Sequence, residues 1–347
     1  MSNKVTCLLV VFQTLWCILK FAKAGPTVLP ELSFNAYEDA KTIWSAVDGW
    51  GTSEDKISRV LCRRTYEQRM KIATSFEIEH GNLKKKLEDE TSRDLKKLYS
   101  RLLESPAAIL SNDMFETIEG KRKDYGAVTE ILCATSNEEK FNVAVHYTTF
   151  FNMTVMDHVK NYKKDNYDYQ IALSEYCWRS YCEIPRLDYP QAIGEAIRLF
   201  YTNPKTDCEK FKKQLQALFH TFCIPDIRLI LKCYRSFYEG GIEEAIKESM
   251  QGEEAEAYTA LTLSIEDRYK YFAGLLKAAM DGVGTDEDRI NRIILNTCET
   301  YLGDILEEYK CMFEKGFIKR LKGFKGEFGT QPHYVTALKL LCNDKDD

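Results

Sequence analysis

The 347-residue sequence predicts an all-α protein built from four repeated helical units of roughly 70–80 residues. Three observations predict it. The segment Asp48-Gly49-Trp50-Gly51-Thr52-Ser53-Glu54-Asp55-Lys56-Ile57 has a near copy 233 residues on, at Asp281-Gly282-Val283-Gly284-Thr285-Asp286-Glu287-Asp288-Arg289-Ile290, and both read D-G-x-G-T-[SD]-E-D-[KR]-I. Apolar residues recur at helical spacing, as in Ile57, Val60, Leu61 and in Ile290, Ile293, Ile294, while alternating strand patterns of useful length are absent. Glycine concentrates in short connectors, and the few prolines (Pro106, Pro185, Pro190, Pro204, Pro225) fall mainly between units.

The first element is not part of the fold. Lys4 supplies a basic start, Val5 to Leu19 an apolar run broken only by Thr6, Gln13 and Thr14, and Ala22-Lys23-Ala24 a small-residue cleavage signature. Residues 1–24 therefore read as a secretory signal peptide, and the protein as secreted. An uncleaved anchor is the competing reading, but the run is shorter than the ~20 residues of a spanning helix. Losing Lys4, Lys20 and Lys23 takes the formal net charge from −5 to −8. Such an acidic chain is drawn by charge neither to nucleic acid nor to anionic lipid, so contact with an anionic membrane needs a divalent bridge. Of twelve cysteines, Cys7 and Cys17 leave with the signal. Cys62, Cys133, Cys233 and Cys298 lie in apolar helical patterns and read as buried small hydrophobes. Cys177 and Cys182 could pair only across a broken helix.

The first unit, residues 33–105, opens with the loop at Asp48 and continues through the stripe of Met70, Ile72, Ala73 and Phe76 to Glu90-Thr91-Ser92 and an apolar helix around Leu95 to Leu103. Two glycines flanking one residue permit left-handed backbone. The following Thr, with Asp three residues on, reads as a capping box opening a helix. A loop of this kind with an acidic rim suits a hard cation. The second unit, 106–178, has Gly120-Lys121-Arg122-Lys123 at the loop position, leading into Val128 to Leu132. The third, 188–264, has Asn203-Pro204-Lys205-Thr206-Asp207, leading into Phe211. The fourth, 265–343, carries the second good loop and closes on Ala337 to Cys342.

With these features assembled, the chain resembles the annexins over roughly residues 33–343. The paired G-x-G-T-[SD]-E-D loops carry the resemblance, with Glu90-Thr91-Ser92 lying 41 residues after Gly49 and the ending Leu338-Lys339-Leu340-Leu341-Cys342. It is strong in units one and four and poor in the loops of two and three. It implies four annexin-type repeats of about five helices each in a curved disc, binding anionic phospholipid through Ca2+. It further implies carbonyl ligands from Val47, Gly49 and Gly51 with the Glu90 carboxylate in unit one, and carbonyls of Met280, Gly282 and Gly284 in unit four. Trp50 and Val283 would meet the lipid interface. Unit four departs from the family's acid-Thr-Ser-Gly element: Gly323-Phe324-Lys325-Gly326-Glu327-Phe328-Gly329-Thr330-Gln331 looks like an insertion of about five residues, leaving Glu327 as the nearby carboxylate. Arg122 and Lys205 stand where units two and three would have the second glycine, and neither unit shows the matched acidic element, so neither is expected to hold calcium.

Other readings stand beside these. The glycine loops could be plain helix starts, with Thr52 and Thr285 capping and the acids complementing the helix dipole. They are not EF-hands, lacking alternating ligands, and not dinucleotide loops, lacking a third glycine. Gly120 to Lys123 reads as a phosphate cradle or, more simply, a solvated charge run. Asn152-Met153-Thr154 is a glycosylation sequon in a helical, partly apolar stretch. The histidines, 80, 146, 158, 220 and 333, are scattered, with no H-E-x-x-H, G-x-S-x-G or Walker loop, so no enzyme is predicted. Two functions remain: a secreted calcium-dependent binder of anionic membranes, similar to annexin-like effectors that parasitic nematodes deliver to a host, or a secreted annexin-fold scaffold for a host or other protein, with calcium binding partly vestigial.

Overall fold

Twenty α-helices among the described residues follow from the apolar stripes. A computed structural model describes residues 24–344 except 50, 92, 121–124, 162–166, 282–283 and 324–331, so the segment read above as a signal peptide lies, up to Lys23, outside the described residues. In chain order the helices are α1 Ala36–Val47, α2 Glu54–Leu61, α3 Tyr66–His80, α4 Leu83–Glu90, α5 Arg93–Leu102, α6 Pro106–Glu119, α7 Tyr125–Ala134, α8 Asn137–Phe151, α9 Val155–Asn161 and α10 Tyr167–Ile171. The π-helix π1, Ala172–Cys177, continues α10. Then come α11 Tyr189–Phe200, α12 Cys208–Thr221, α13 Ile224–Tyr234, α14 Gly241–Ser249, α15 Gly252–Glu266, α16 Arg268–Ala278, α17 Glu287–Thr297, α18 Leu302–Phe313, α19 Phe317–Leu321 and α20 Pro332–Leu341. No strand occurs among the described residues.

Two compact modules result, residues 1–103 with 276–347 and residues 104–275. In the first, α1 packs on α3 and α2, and α20 on α2. Ile43, Ile57, Leu61, Ile72, Phe76, Ile290, Ile294 and Leu338 are fully buried there. Buried Arg69 joins its two chain segments: Nε donates to the Leu102 carbonyl at 2.6 Å and Nη2 to Glu299 at 2.9 Å. In the second module, α11 packs on α13, α15 on α7 and α6 on α8. Its core runs from Met114 and Leu132 through Tyr147 and Leu173 to Phe211, Ile230 and Leu261.

One polar contact recurs four times. The hydroxyl of Tyr99 (α5) bonds Ser58 (α2) at 2.6 Å, and that of Tyr169 (α10) bonds Thr129 (α7) at 2.8 Å. Gln216 (α12) donates to Tyr258 (α15) at 2.9 Å, and Tyr334 (α20) donates to Asn291 (α17) at 2.7 Å. All four tyrosines are buried. A buried hydroxyl needs a partner, so each bond fixes how the two helices dock. Ser58, Thr129 and Asn291 sit at the fifth residue of their helices. Gln216 sits one turn further along α12.

Three expectations change. The caps fall one residue later than Thr52 and Thr285: Ser53 is the N-cap of α2 without a side-chain bond, and Asp286 caps α17 by accepting from the Arg289 amide at 3.0 Å. Both threonines are occupied elsewhere, as described below. Cys133 is not a free buried hydrophobe, because α7 packs on π1 and Cys133 is disulfide-bonded to Cys177, which removes Cys177 as a partner for Cys182. Cys62, Cys233 and Cys298 are buried free thiols, and burial pushes Cys62 and Cys298 up to about 12. The sequon lies not within a helix but on the turn after α8, with Asn152 exposed at φ 53°.

Tyr334→Phe strands the Asn291 amide in the core and should cost about 1–3 kcal/mol in urea unfolding. A change near zero would show that this bond does not set the α17–α20 docking.

Candidate metal centre

The first glycine loop spans the gap between α1 and α2 and is closed at its base by Ser53 N donating to Ala46 O at 2.9 Å. The fourth-unit loop closes the same way, with Asp286 N donating to Ala279 O at 2.8 Å. Gly49 and Gly51 have φ of 132° and 86°, and Gly284 has 94°. A Cβ on any of the three would meet open space, so backbone conformation rather than crowding demands glycine. Val47 and Met280, at the loop entries, are buried and anchor the loops to the core.

Glu90 ends α4 and arrives at the first loop from 38 residues away in sequence: Thr52 Oγ1 donates to Glu90 Oε2 at 3.0 Å. Thr52 therefore orients the carboxylate instead of capping the helix. Lys86, one turn earlier on α4, donates to Glu90 Oε1 at 2.7 Å. These two bonds, Lys86 first, hold the Glu90 pKa below the usual carboxylate range. The carboxylate also sits at the negative end of α4, where a cation is favoured. Left-handed glycines, a hard carboxylate and a helix C-terminus fit Ca2+, which accepts oxygen ligands in loose geometry. Among the described residues no three His, Cys, Asp or Glu side chains cluster as a metal site. Any cation held here relies on backbone carbonyls, with Val47, Gly49 and Gly51 as the candidates.

The structure brings Glu90 to Thr52, the residue that follows Gly51 in the loop of Val47, Gly49 and Gly51. In unit four it places Met280 and Gly284, while Gly282, Val283 and Glu327 lie outside the described residues, as does Trp50. Thr285 there donates to Glu287, whose pKa is raised mainly by burial. Asp281 pairs with Lys277 and, at 3.2 Å, with Arg320.

The third unit corrects the sequence reading. An acid not singled out from the sequence lies by its loop: Glu248, the last residue but one of α14. Lys205, in the loop, holds it at 3.0 Å, and Tyr238 donates to its other oxygen. The contact edges a cavity of about 780 Å³ that Phe200, Tyr201 and Phe237 also line. A tethered ammonium thus neutralises this carboxylate. Glu248-Ser249 escaped notice because the Thr-Ser-Gly that marks the element is absent. Lys86 was legible only as an ordinary i,i+4 partner. In unit two Gly120 ends α6 with φ −69°, outside the left-handed region, and residues 121–124 lie outside the described residues.

The annexin family model matches residues 38–102 and 271–329, the two stretches holding the glycine loops. Annexin B10 of Drosophila melanogaster is 27% identical over 323 residues, 92% of this chain and 98% of that protein. Annexin A6 of Gallus gallus is 24% identical over 326 residues, and the chain spans 47% of its length. Chicken annexin V in complex with Zn2+ superposes with a TM-score of 0.82 at 24% identity, over 92% of this chain and 99% of that one. Calcium-bound annexin (Sm)1 gives 0.75 at 21%, over 92% and 93%. At these identities the structures establish the all-helical annexin fold.

Lys86→Met removes the ammonium that competes at Glu90 and should tighten calcium binding severalfold by calorimetry, the scale of an exposed ion pair. Unchanged or weaker binding would contradict the competition. Because its pKa is depressed, Glu90 stays ionised as pH falls and is lost only below the usual value of about 4.3. Calcium affinity should therefore hold from pH 7 to about 5, and loss already near pH 6 would exclude Glu90 as the closing carboxylate.

Proposed function

We propose that this chain is an annexin that binds anionic phospholipid membranes through Ca2+, chiefly at its first repeat, and that it is exported and acts outside the producing cell as a host-directed effector. The family match and the annexin relatives support the general activity. One observation supports the site: the Glu90 carboxylate set by Thr52 against the left-handed loop of Gly49 and Gly51. Ca2+ supplies the positive charge that an acidic protein lacks toward a lipid phosphate. The chain's own part is to aim backbone carbonyls and one carboxylate at one point and to leave the rest of the cation's coordination to lipid or water. Trp50 at the loop tip is the side chain proposed to enter the interface, with Val283 its fourth-unit counterpart. The four repeats are proposed at residues 33–105, 106–178, 188–264 and 265–343, and no catalytic role is assigned. No helix among the described residues is long and apolar enough to cross a membrane.

A specific observation favours a second reading. Two glutamates that would face cations, Glu90 and Glu248, each carry a lysine. An annexin frame with partly vestigial calcium binding, retained as a scaffold for a host or other protein, would show such pairs.

The mature protein should sediment with phosphatidylserine vesicles only when calcium is present, and Glu90→Gln should cut that binding at least tenfold. Binding indifferent to chelator and to Glu90→Gln would overturn the first reading. Absence of calcium binding at millimolar concentration, with recovery of a specific protein partner, would establish the second. Expressed with its leader, the protein should appear in the medium beginning at Gly25, and retention in the cell would refute export.

A further inference from the structure

Cys182 and Cys223 are free thiols that face one another. Cys182 is exposed, on the connector 178–188 between π1 and α11, and Cys223 is buried immediately before α13. Three bonds dock the connector onto the start of α13. Ile224 N donates to Cys182 O at 2.9 Å, and Arg186 N and Leu187 N donate to Asp226 Oδ1 at 2.9 and 3.0 Å. The first bond brings the Cys182 carbonyl to the amide of the residue that follows Cys223. A disulfide spans about 4.4–6.8 Å between Cα atoms. The Cys182 sulfur accepts from the Ile184 amide at 3.5 Å and is in hydrogen-bond contact with the Cys223 thiol.

We propose that Cys182 and Cys223 form a second disulfide, stapling this connector to the start of α13, and that oxidation is driven by a small-molecule disulfide such as oxidised glutathione. The inference is independent of the calcium reading. The hydrogen bond from Cys223 lowers the Cys182 pKa and raises that of Cys223, so the exposed sulfur is the thiolate that reacts first. It attacks the small-molecule disulfide, forming a mixed disulfide and releasing one thiolate. Cys223 then loses its proton to solvent base and attacks the Cys182 sulfur, expelling the second. Two protein thiols are oxidised, the small-molecule disulfide is reduced to two thiols, and these take up the two protons. With Cys133–Cys177 in place, both ends of the segment from π1 through Cys182 are then covalently held.

Peptide mapping of the full-length protein after oxidation with glutathione disulfide and blocking of residual thiols tests this. The expected result is a Cys182–Cys223 cross-linked peptide beside the Cys133–Cys177 one. Blocked, unpaired Cys182 and Cys223 in protein whose Cys133–Cys177 bond has formed would overturn it, as would Cys182 recovered on another cysteine. Cys182→Ser changes an exposed side chain and leaves a hydroxyl that can accept from the Ile184 amide as the sulfur does. It should lower the unfolding midpoint relative to wild type under oxidising conditions and match wild type under reductant. An equal deficit in both conditions would also overturn the proposal.

Discussion

The docking of the last helix of a repeat against its second helix is the constraint on which the candidate site depends. In the first repeat it is fixed by the Tyr99 hydroxyl, buried and bonded to Ser58 and to the Glu54 carbonyl at 2.8 Å. A tyrosine that size brings a large apolar area into the core but cannot leave its hydroxyl unpaired there. The register of α5 on α2 is therefore discrete. Since α4 and α5 meet at a tight corner, with Arg93 at φ 52°, that register also sets where α4 ends. Glu90 reaches Thr52 as a consequence. The same tyrosine bond recurs in the other three repeats, so the architecture is repeated at the level of an internal hydrogen bond as well as of helix order.

Charge then distinguishes the first repeat from the third. An acidic chain can hold its carboxylates together only by bringing cations of its own or binding them from solution. In the first repeat Lys86 pairs with Glu90 from the same helix, and both side chains are partly exposed. The third repeat takes the internal route. Lys205 stands at the second-glycine position and supplies the positive charge itself, while Asn203, two residues earlier, keeps a left-handed φ of 48°. The two lysines differ in origin, one from the helix bearing the carboxylate and one from the loop facing it.

The all-helical class and the two glycine loops were legible because they rest on local physics: the 3.6-residue stripe, and backbone angles that favour glycine. Glu90 was legible through its family element. What escaped were contacts between segments some 40 residues apart. Tyr99, Tyr169, Tyr258 and Tyr334 look like ordinary core aromatics until the fold supplies their partners. Thr52 reads as a cap because Asp55 follows three residues later, yet its hydroxyl goes to Glu90. Glu248 hides behind a changed neighbouring sequence. Cys133–Cys177 spans 44 residues, and spacing alone does not give connectivity.

The central claim is that the first repeat holds a calcium ion through Glu90 and the 47–51 loop, while the third is already neutralised by Lys205. A crystal structure of the mature protein grown with a lanthanide in place of calcium tests it most directly. Anomalous density between Glu90 and the carbonyls of Val47, Gly49 and Gly51, with none beside Glu248, is the predicted result. An empty first loop, or density displacing Lys205 from Glu248, would contradict it.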